Sequence, residues 1–288
     1  MKSQKIKING LKLNFYFWGN PKKPKLFLFH GWLDTAASFD FLCPFLEKHF
    51  YCIAPDMRGY ARSEHAKNIL GYFFYEYVAD LHALFEKFSP KEKVRILGHS
   101  LGGAVSSVYA GTYPERVSHL INVEGYAFRD NSPDRGPEKL RNWLDHLHEV
   151  DFPSFDNLAS FAKRLVLQNP RLSMDRAKFM AKYLTKKAGS KFKMAADPKH
   201  KLTEPYLFNR ELLYRFWESI QAQCLLVHAE KTQMNQWVKA KEFEEEIRER
   251  ITHFPKGSPF VTIPDCGHMV HHERPDLLAD EVLKFFFN

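Results

Sequence analysis

The residues around Ser100 have the types and spacing needed for covalent catalysis by a serine. Ser100 lies in Gly98-His99-Ser100-Leu101-Gly102, directly after the apolar run 94–97 and before a run with helical character. Small residues on both sides of a serine permit the tight strand-to-helix turn of a nucleophile elbow. The pattern predicts that the Ser100 hydroxyl attacks a substrate and forms a covalent intermediate, with a glycine turn that carries no chemistry as the alternative.

A serine hydroxyl is a weak nucleophile at neutral pH, so it needs a base within hydrogen-bond distance. His268 is the base candidate, because it follows the last predicted strand in the loop Asp265-Cys266-Gly267-His268. Loops at the carboxyl ends of strands are where α/β folds assemble their sites. We also predict that His30 and His99, which border the two glycine turns of the site, contact the substrate.

Acyl transfer further requires N–H donors for the oxyanion that forms on the attacked carbonyl. Phe29-His30-Gly31-Trp32 ends the third predicted strand in a tight turn. This turn can aim the backbone N–H of Trp32 at the point that the N–H of Leu101 also faces. We therefore predict an oxyanion hole made by Trp32 and Leu101, with an ordinary glycine turn as the alternative.

Short apolar runs alternate with helical patterns along the chain, which predicts an open, doubly wound sheet. The later runs are continuously apolar, as in strands buried on both faces. Asn9-Gly10 predicts a hairpin between the first two strands. The predicted strands are 5–8, 13–18, 26–29, 51–54, 94–97, 120–123, 224–227 and 260–263. The predicted helices outside the middle of the chain are 37–49, 72–88, 101–112, 237–250 and 276–287.

The middle of the chain interrupts this alternation. From about 126 to 216 the sequence predicts no strand, only helices near 137–148, 154–167 and 173–187. We predict a helical cap at 126–216, inserted into a core formed by 1–125 and 217–288. Its aromatic residues favour either an apolar substrate pocket or a small core of the cap itself. They are Trp143, Phe152, Phe155, Phe161, Phe179, Tyr183, Phe192, Tyr206 and Phe208.

Composition indicates a globular chain of 288 residues, 44% hydrophobic and 26% charged. The first residues alternate polar and apolar, unlike a secretory signal peptide, and no window is apolar enough to span a bilayer. Four scattered cysteines predict reduced thiols. These features predict a soluble, cytoplasmic protein.

The net charge of +8 is unevenly distributed. The stretch 160–215 holds 14 Lys and Arg against 4 Asp and Glu, a net +10, so the remainder of the chain carries −2. No nucleic-acid motif accompanies this charge, which favours a solvated helical face. A patch that attracts anionic lipid or an acidic substrate is the alternative.

Taken together, four motifs resemble those of the α/β-hydrolase fold family, in family order. They are His30-Gly31-Trp32, Asp56-Met57-Arg58-Gly59-Tyr60-Ala61-Arg62-Ser63, Gly98-His99-Ser100-Leu101-Gly102-Gly103, and Gly267-His268 followed by Glu273-Arg274-Pro275. The resemblance implies a mostly parallel eight-stranded sheet with helices on both faces and a helical cap. Ala61 replaces the second glycine of the Asp56 motif, a position that we interpret as loop packing. Val123-Glu124-Gly125, with Asp197-Pro198 ahead of Leu225-Leu226-Val227, also resembles the serine-hydrolase-like subgroup.

The acid departs from the commonest family pattern. Many members carry an aspartate after the seventh strand, where this chain has Thr232, which cannot bear the charge that stabilises an imidazolium. Other members place the acid after the sixth strand, where Glu124 stands here. A carboxylate at the end of an apolar strand costs desolvation unless it is paired. We assign Glu124 as the acid, with Glu230 as its rival and a Ser–His pair as the alternative.

These residues predict a serine hydrolase that acts on a small carboxylic ester with an apolar acyl part. The predicted reaction needs no metal and no organic cofactor. A thioesterase, lactonase or C–C bond hydrolase with the same residues is one alternative. Haloalkane and epoxide chemistry in this fold uses an aspartate nucleophile, so Ser100 argues against both. Because Thr232 stands where an aspartate is expected, a further alternative is a binding protein of the same fold that has no catalytic turnover.

Overall fold

A computed structural model describes residues 1–126, 132–206, 209–236, 238 and 243–287. The strands of the main sheet are β1 (Lys2–Ile8), β2 (Leu11–Trp18), β3 (Lys25–Phe29), β4 (Tyr51–Pro55), β5 (Val94–His99), β6 (Val117–Val123), β9 (Gln223–Ala229) and β10 (Phe260–Ile263). Their order is β1-β2-β4-β3-β5-β6-β9-β10. In this spatial order, every neighbouring pair from β4–β3 to β9–β10 is parallel, whereas β1–β2 and β2–β4 are antiparallel. The mostly parallel eight-stranded sheet is therefore confirmed.

The central strands are buried on both faces, because alternate residues enter two different hydrophobic clusters. In β3, Phe27 and Phe29 belong to one cluster, while Leu26 and Leu28 belong to the other. Successive side chains of a strand point to opposite faces, so a continuous apolar run fills both layers. This arrangement fixes the register of the strands that lead into the site.

Helices cover both faces of the sheet. Residues of α2 (Phe74–Phe88), α3 (Leu101–Thr112), α7 (Arg210–Glu218) and α8 (Phe243–Ile251) join one cluster, and residues of α1 (Cys43–Leu46) and α10 (Pro275–Phe287) join the other. A short helix α9 (Val270–Glu273) precedes α10, and a 3-10 helix covers Ala36–Phe41. All four cysteines are free and buried, as predicted.

One predicted helix differs from the structure, and another is described only in part. The helix predicted over 37–49 is instead the 3-10 helix Ala36–Phe41 followed by α1, in which Pro44 stands in the first turn. A proline lacks the N–H that would continue the preceding helix, so the chain starts a new one there. Of the helix predicted over 237–250, the described part is α8 (Phe243–Ile251), and residues 237 and 239–242 lie outside the described residues.

The hairpin predicted at Asn9-Gly10 is confirmed. Ile8 pairs with Leu11, and Asn9 and Gly10 both have positive φ, at 43° and 85°. A two-residue turn with both φ values positive matches the twist of the flanking strands.

The middle of the chain contains α4 (Gly136–His146), α5 (Leu158–Gln168) and α6 (Met174–Leu184). The prediction of no strands here was wrong, because β7 (Thr185–Ala188) and β8 (Lys191–Met194) form an antiparallel hairpin. Its turn is Gly189-Ser190, with φ of 65° at Gly189, which an L side chain rarely adopts. The hairpin carries four lysines, and part of it was interpreted as a continuation of the preceding helix.

Several aromatic residues of the stretch 126–216 pack against other residues of the same stretch. Phe161 is buried in a cluster with Met180 and Leu184, and the rings of Phe155 and Phe161 lie 4.9 Å apart. Phe208 lies outside the described residues. In the part of the chain that is described, no helix combines the length and the apolar character needed to cross a bilayer.

Candidate active site

Parallel strands bring the candidate residues to one edge of the sheet. His99 at the end of β5 pairs with Val123 of β6, and Val123 pairs with Val227 of β9. Ser100 and Glu124 therefore leave adjacent strands at the same level. His268 enters from the loop that follows β10.

Ser100 occupies a strained turn between β5 and α3, with φ of 51° and ψ of −118°. A non-glycine residue at positive φ is uncommon and marks a site that the surrounding structure holds in place. Glycines make the turn possible. A Cβ added to Gly98 would lie 2.5 Å from the backbone of Gly102, and one added to Gly102 would lie 2.2 Å from the Phe29 carbonyl oxygen.

His268 lies between Ser100 and Glu124. Its Nε2 is 2.9 Å from Ser100 Oγ, and its Nδ1 is 3.1 Å from Glu124 Oε2. The His268 ring is 7% exposed, and the carboxylate of Glu124 is fully buried. A serine hydroxyl, an imidazole and a carboxylate joined in this order can pass a proton between the nucleophile and the imidazole while the carboxylate fixes the ring orientation.

Glu124 itself is anchored by both of its oxygens. Oε1 accepts a hydrogen bond from the backbone N–H of Ala229 at 2.9 Å, and Oε2 accepts one from the Thr232 hydroxyl. Burial acts to raise the pKa of Glu124, but the hydrogen bonds from His228 and His268 outweigh it, and the pKa lies below its ordinary value. The carboxylate is therefore charged at neutral pH.

His228 was missed by the sequence reasoning. On β9, its Nδ1 lies 3.1 Å from Glu124 Oε1 and 2.9 Å from the Tyr126 hydroxyl, and all three residues are buried. A histidine inside an otherwise apolar strand was the one available signal. Thr232, where an aspartate was expected, instead donates to the glutamate, so the two departures from the common pattern belong to one hydrogen-bond network.

The two predicted oxyanion donors flank Ser100. A Cβ added to Gly31 would lie 3.2 Å from Ser100 Cβ, so the turn before Trp32 lies against the elbow. Leu101 is the first residue of α3, where a backbone N–H has no partner within the helix. Neither N–H donates a hydrogen bond to another described residue.

His30 and His99 are both buried and bonded to the backbone. His30 Nε2 accepts from the N–H of Met57 at 2.9 Å, and His99 Nε2 is 2.8 Å from the His268 carbonyl oxygen. Burial, together with the rings of His271 and His268, lowers the pKa of His99 well below its ordinary value. These contacts favour loop support, and the predicted role of both residues in substrate binding stays a prediction.

The rival acid Glu230 points elsewhere. Its Oε2 accepts the backbone N–H of Asp265 at 2.8 Å, and its Oε1 lies 3.4 Å from the ammonium of Lys231. The Glu230 side chain is 46% exposed. Its described contacts include neither His268 nor Ser100.

The segment that carries His268 is also bonded to residues of the stretch 126–216. Glu273 accepts the N–H of Gly267 at 2.7 Å and the side-chain amide of Asn169 at 2.9 Å. From α6, Arg176 donates to the carbonyl oxygens of His272 and Glu273. Asn169 and Arg176 therefore tie this stretch to Glu273 and to the backbone that follows His268.

The Asp56 motif packs the adjacent loops. Asp56 Oδ1 accepts from the Thr35 hydroxyl at 2.6 Å and from the Ala36 N–H at 2.8 Å. Ala61, in the second glycine position of the motif, has φ of 46° and is buried. These contacts agree with the predicted role in loop packing.

Comparison with known proteins extends these observations over nearly the whole chain. Residues 24–275 match the description of the α/β hydrolase fold family. The human serine hydrolase-like protein 2 is 27% identical over 281 residues, covering 93% of this chain and 88% of that protein. A mouse serine hydrolase-like protein is 26% identical over 290 residues, covering 93% and 90%. A thioesterase domain from the curacin biosynthetic pathway has a TM-score of 0.87 at 22% identity, covering 99% of both chains.

Proposed function

This chain belongs to the α/β hydrolase fold family and resembles its serine hydrolase-like proteins, and we propose that it hydrolyses carboxylic esters through an acyl-enzyme on Ser100. One observation carries the proposal: Ser100 Oγ, His268 and Glu124 form a continuous hydrogen-bonded series of 2.9 Å and 3.1 Å. Such a series activates a serine and orients its base.

In the first half of the reaction, Ser100 Oγ attacks the ester carbonyl carbon while His268 Nε2 takes the hydroxyl proton. The carbonyl oxygen becomes an oxyanion, which the N–H groups of Trp32 and Leu101 stabilise. His268 then gives its proton to the leaving alcohol oxygen as the C–O bond breaks. The product is the Ser100 acyl ester and a free alcohol.

In the second half, water attacks the acyl carbon and gives a proton to His268 Nε2. Collapse of the new oxyanion releases the carboxylic acid, and the proton returns to Ser100 Oγ. Glu124 stays ionised throughout and stabilises the imidazolium that forms in each half. His228 holds Glu124 through Oε1, and Thr232 holds it through Oε2, the oxygen that also faces His268.

We further propose that 126–216 forms a cap over a core of 1–125 and 217–288, and that the cap shapes an apolar acyl pocket. The Trp32 indole, whose Nε1 donates to the His200 carbonyl oxygen at 3.0 Å, supports a cap beside the site, because it joins this stretch to the residue that bears a proposed oxyanion donor. The exposed apolar ring of Trp32 beside that donor favours an apolar acyl group.

A fluorophosphonate probe followed by mass spectrometry tests the mechanism. We expect one adduct on Ser100 in the folded protein, none in Ser100→Ala, and loss of turnover of p-nitrophenyl esters in that variant with unchanged circular dichroism. Absence of the adduct in the folded wild type would instead support a binding protein without turnover. A panel of acyl esters differing in chain length then tests the apolar pocket.

A second candidate, hydrolysis of thioesters with an anionic carrier, is favoured by the charge of 160–215. Lys178, Lys182 and Lys186 are exposed along α6 and the start of β7. The same acyl group offered as a neutral ester and as a thioester with an anionic leaving group separates the two candidates. A higher kcat/KM for the anionic thioester that falls with added salt supports the second.

A further inference from the structure

A second cluster of polar side chains lies behind the candidate active site. Asp34, His271 and His272 meet where the first 3-10 helix packs against α9, and Ser38 adjoins them. Asp34 is 2% exposed, His271 0% and His272 5%. None of these residues takes part in the proposed acyl transfer.

The atoms of these side chains that could bind a metal ion lie close to one another. Asp34 Oδ2 lies 3.2 Å from Nε2 of His271 and 3.2 Å from Nε2 of His272. Ser38 Oγ lies 3.1 Å from that same oxygen and 3.0 Å from His271 Nε2. Ser38 Oγ is also 2.7 Å from the Thr35 carbonyl oxygen.

Hydrogen bonds with one proton for each contact do not account for all five contacts. With neutral imidazoles, the available protons are one on each Nε2 and one on the Ser38 hydroxyl, three in total. Three protons serve five close contacts, so at least two contacts share a proton or lack one. The other oxygen of the same carboxylate, Asp34 Oδ1, is buried and has no hydrogen-bond partner among the described residues.

The spacing matches the ligands of a small divalent ion. Ligands at about 2.0–2.1 Å from a tetrahedral zinc are about 3.3–3.4 Å apart, close to the four separations of 3.0–3.2 Å. Two imidazoles with one carboxylate suit zinc and its neighbours in the first transition row better than Mg²⁺ or Ca²⁺. We propose that Asp34, His271 and His272 bind one divalent transition-metal ion of the zinc class, with Ser38 or water in the fourth position.

The environment of the histidines sets the expected affinity. A metal bound through Nε2 leaves the imidazole proton on Nδ1, and in strong sites that N–H donates to an outer acceptor. His271 Nδ1 is buried and has no partner in the described part of the chain. We therefore expect binding about 10–100-fold weaker than in a site whose histidines both have such acceptors.

Cobalt and zinc titrations test the site directly. Tag-free full-length protein is treated with a chelator, and Co²⁺ is added while visible absorption is recorded. We expect one equivalent to produce the intense bands of tetrahedral cobalt, Zn²⁺ to abolish them, and Zn²⁺ to raise the unfolding temperature, because a ligand that binds the native state stabilises it. A wild type that gives no such absorption overturns the proposal.

Two variants assign the signal. His272→Gln removes one ligand at the edge of the cluster, and we expect at least a tenfold loss of cobalt affinity. His146→Gln is the matched control, because His146 is exposed on α4 and bonds to its own helix through the Asn142 carbonyl oxygen. Binding that is equal in wild type and in folded His272→Gln would place the metal elsewhere and refute the assignment. Ser38→Ala keeps all three proposed ligands, so it should retain binding even if His272→Gln fails to fold.

Discussion

Glu124→Gln is the sharpest test of the proposed proton transfer, because it removes charge while keeping the shape of the side chain. The glutamine carbonyl oxygen can still accept the N–H of Ala229, as Oε1 does in the wild type at 2.9 Å. Its NH₂ group then occupies the position of Oε2, which lies 3.1 Å from His268 Nδ1. An amide there donates a hydrogen bond, so Nδ1 must become the acceptor.

This reversal places the imidazole proton on Nε2, the atom that should accept the proton of Ser100. The wrong tautomer of the base lowers kcat by about 10⁴ in a serine protease with the equivalent change. A factor of 10⁴ corresponds to about 5.4 kcal/mol of lost transition-state stabilisation. We expect a loss of the same order here, with KM little changed, because Glu124 is fully buried and cannot touch substrate.

Steady-state hydrolysis of a p-nitrophenyl ester measures this loss, and the rate of fluorophosphonate labelling gives a second readout of nucleophile activation. Glu230→Gln is the matched control, an exposed carboxylate that bonds to Asp265 rather than to His268. We expect its activity to stay within about twofold of wild type, as for a surface substitution. Glu124→Gln retaining more than a tenth of the wild-type kcat, or Glu230→Gln proving the more damaging change, would refute the assignment of the acid.

Three further predictions address the loop geometry and the buried charges. Gly31→Ala places a Cβ 2.9 Å from His99 Nδ1 and 3.2 Å from Ser100 Cβ; displacement of the Trp32 N–H should lower kcat by about 10²–10³, and an unchanged kcat would count against this oxyanion donor. Arg176→Met removes two bonds to α9, the helix that follows the loop of His268, and should lower kcat and the labelling rate more than Arg164→Met, an exposed control on α5; equal effects would show that these bonds do not position His268. Burial raises the pKa of Glu204 from 4.5 to about 7, so the folded state binds more protons between these values and stability falls as pH rises through them. Glu204→Gln should therefore raise the free energy of unfolding at pH 8 by an amount of the order of 3 kcal/mol and leave it unchanged at pH 4, which urea unfolding at the two pH values would check.

The sheet could be predicted from the sequence because its strands are short, apolar and separated by long helical patterns. The eight predicted strands of the main sheet all occur, with ends extended by one to three residues at most sites. The hairpin of β7 and β8 was missed because its strands are only four residues long and β7 carries no alternation of polar and apolar residues. Lys191-Phe192-Lys193-Met194 of β8 does alternate with period two, and together with the Gly189-Ser190 turn it was the available local signal.

The candidate site was accessible from the sequence only where local geometry dictates a residue type. Ser100 needs glycines close to it in the chain, so its motif can be recognised from a few neighbouring residues. The choice between Glu124 and Glu230 depends on which carboxylate reaches His268 from a neighbouring strand. That distance in space cannot be deduced from the spacing of residues along the chain. His228 was beyond reach for the same reason, because its contact with Glu124 joins two strands more than a hundred residues apart.

Ser100 and Glu124 both hold left-handed backbone, with φ of 51° and 58°. Such residues cost of the order of 1–3 kcal/mol each, and glycine at either position would remove that cost. Selection for thermostability alone will therefore favour substitutions of Ser100 and Glu124 that abolish catalysis. Directed evolution for stability must therefore also select for turnover in every round, because selection for heat resistance alone favours inactive variants.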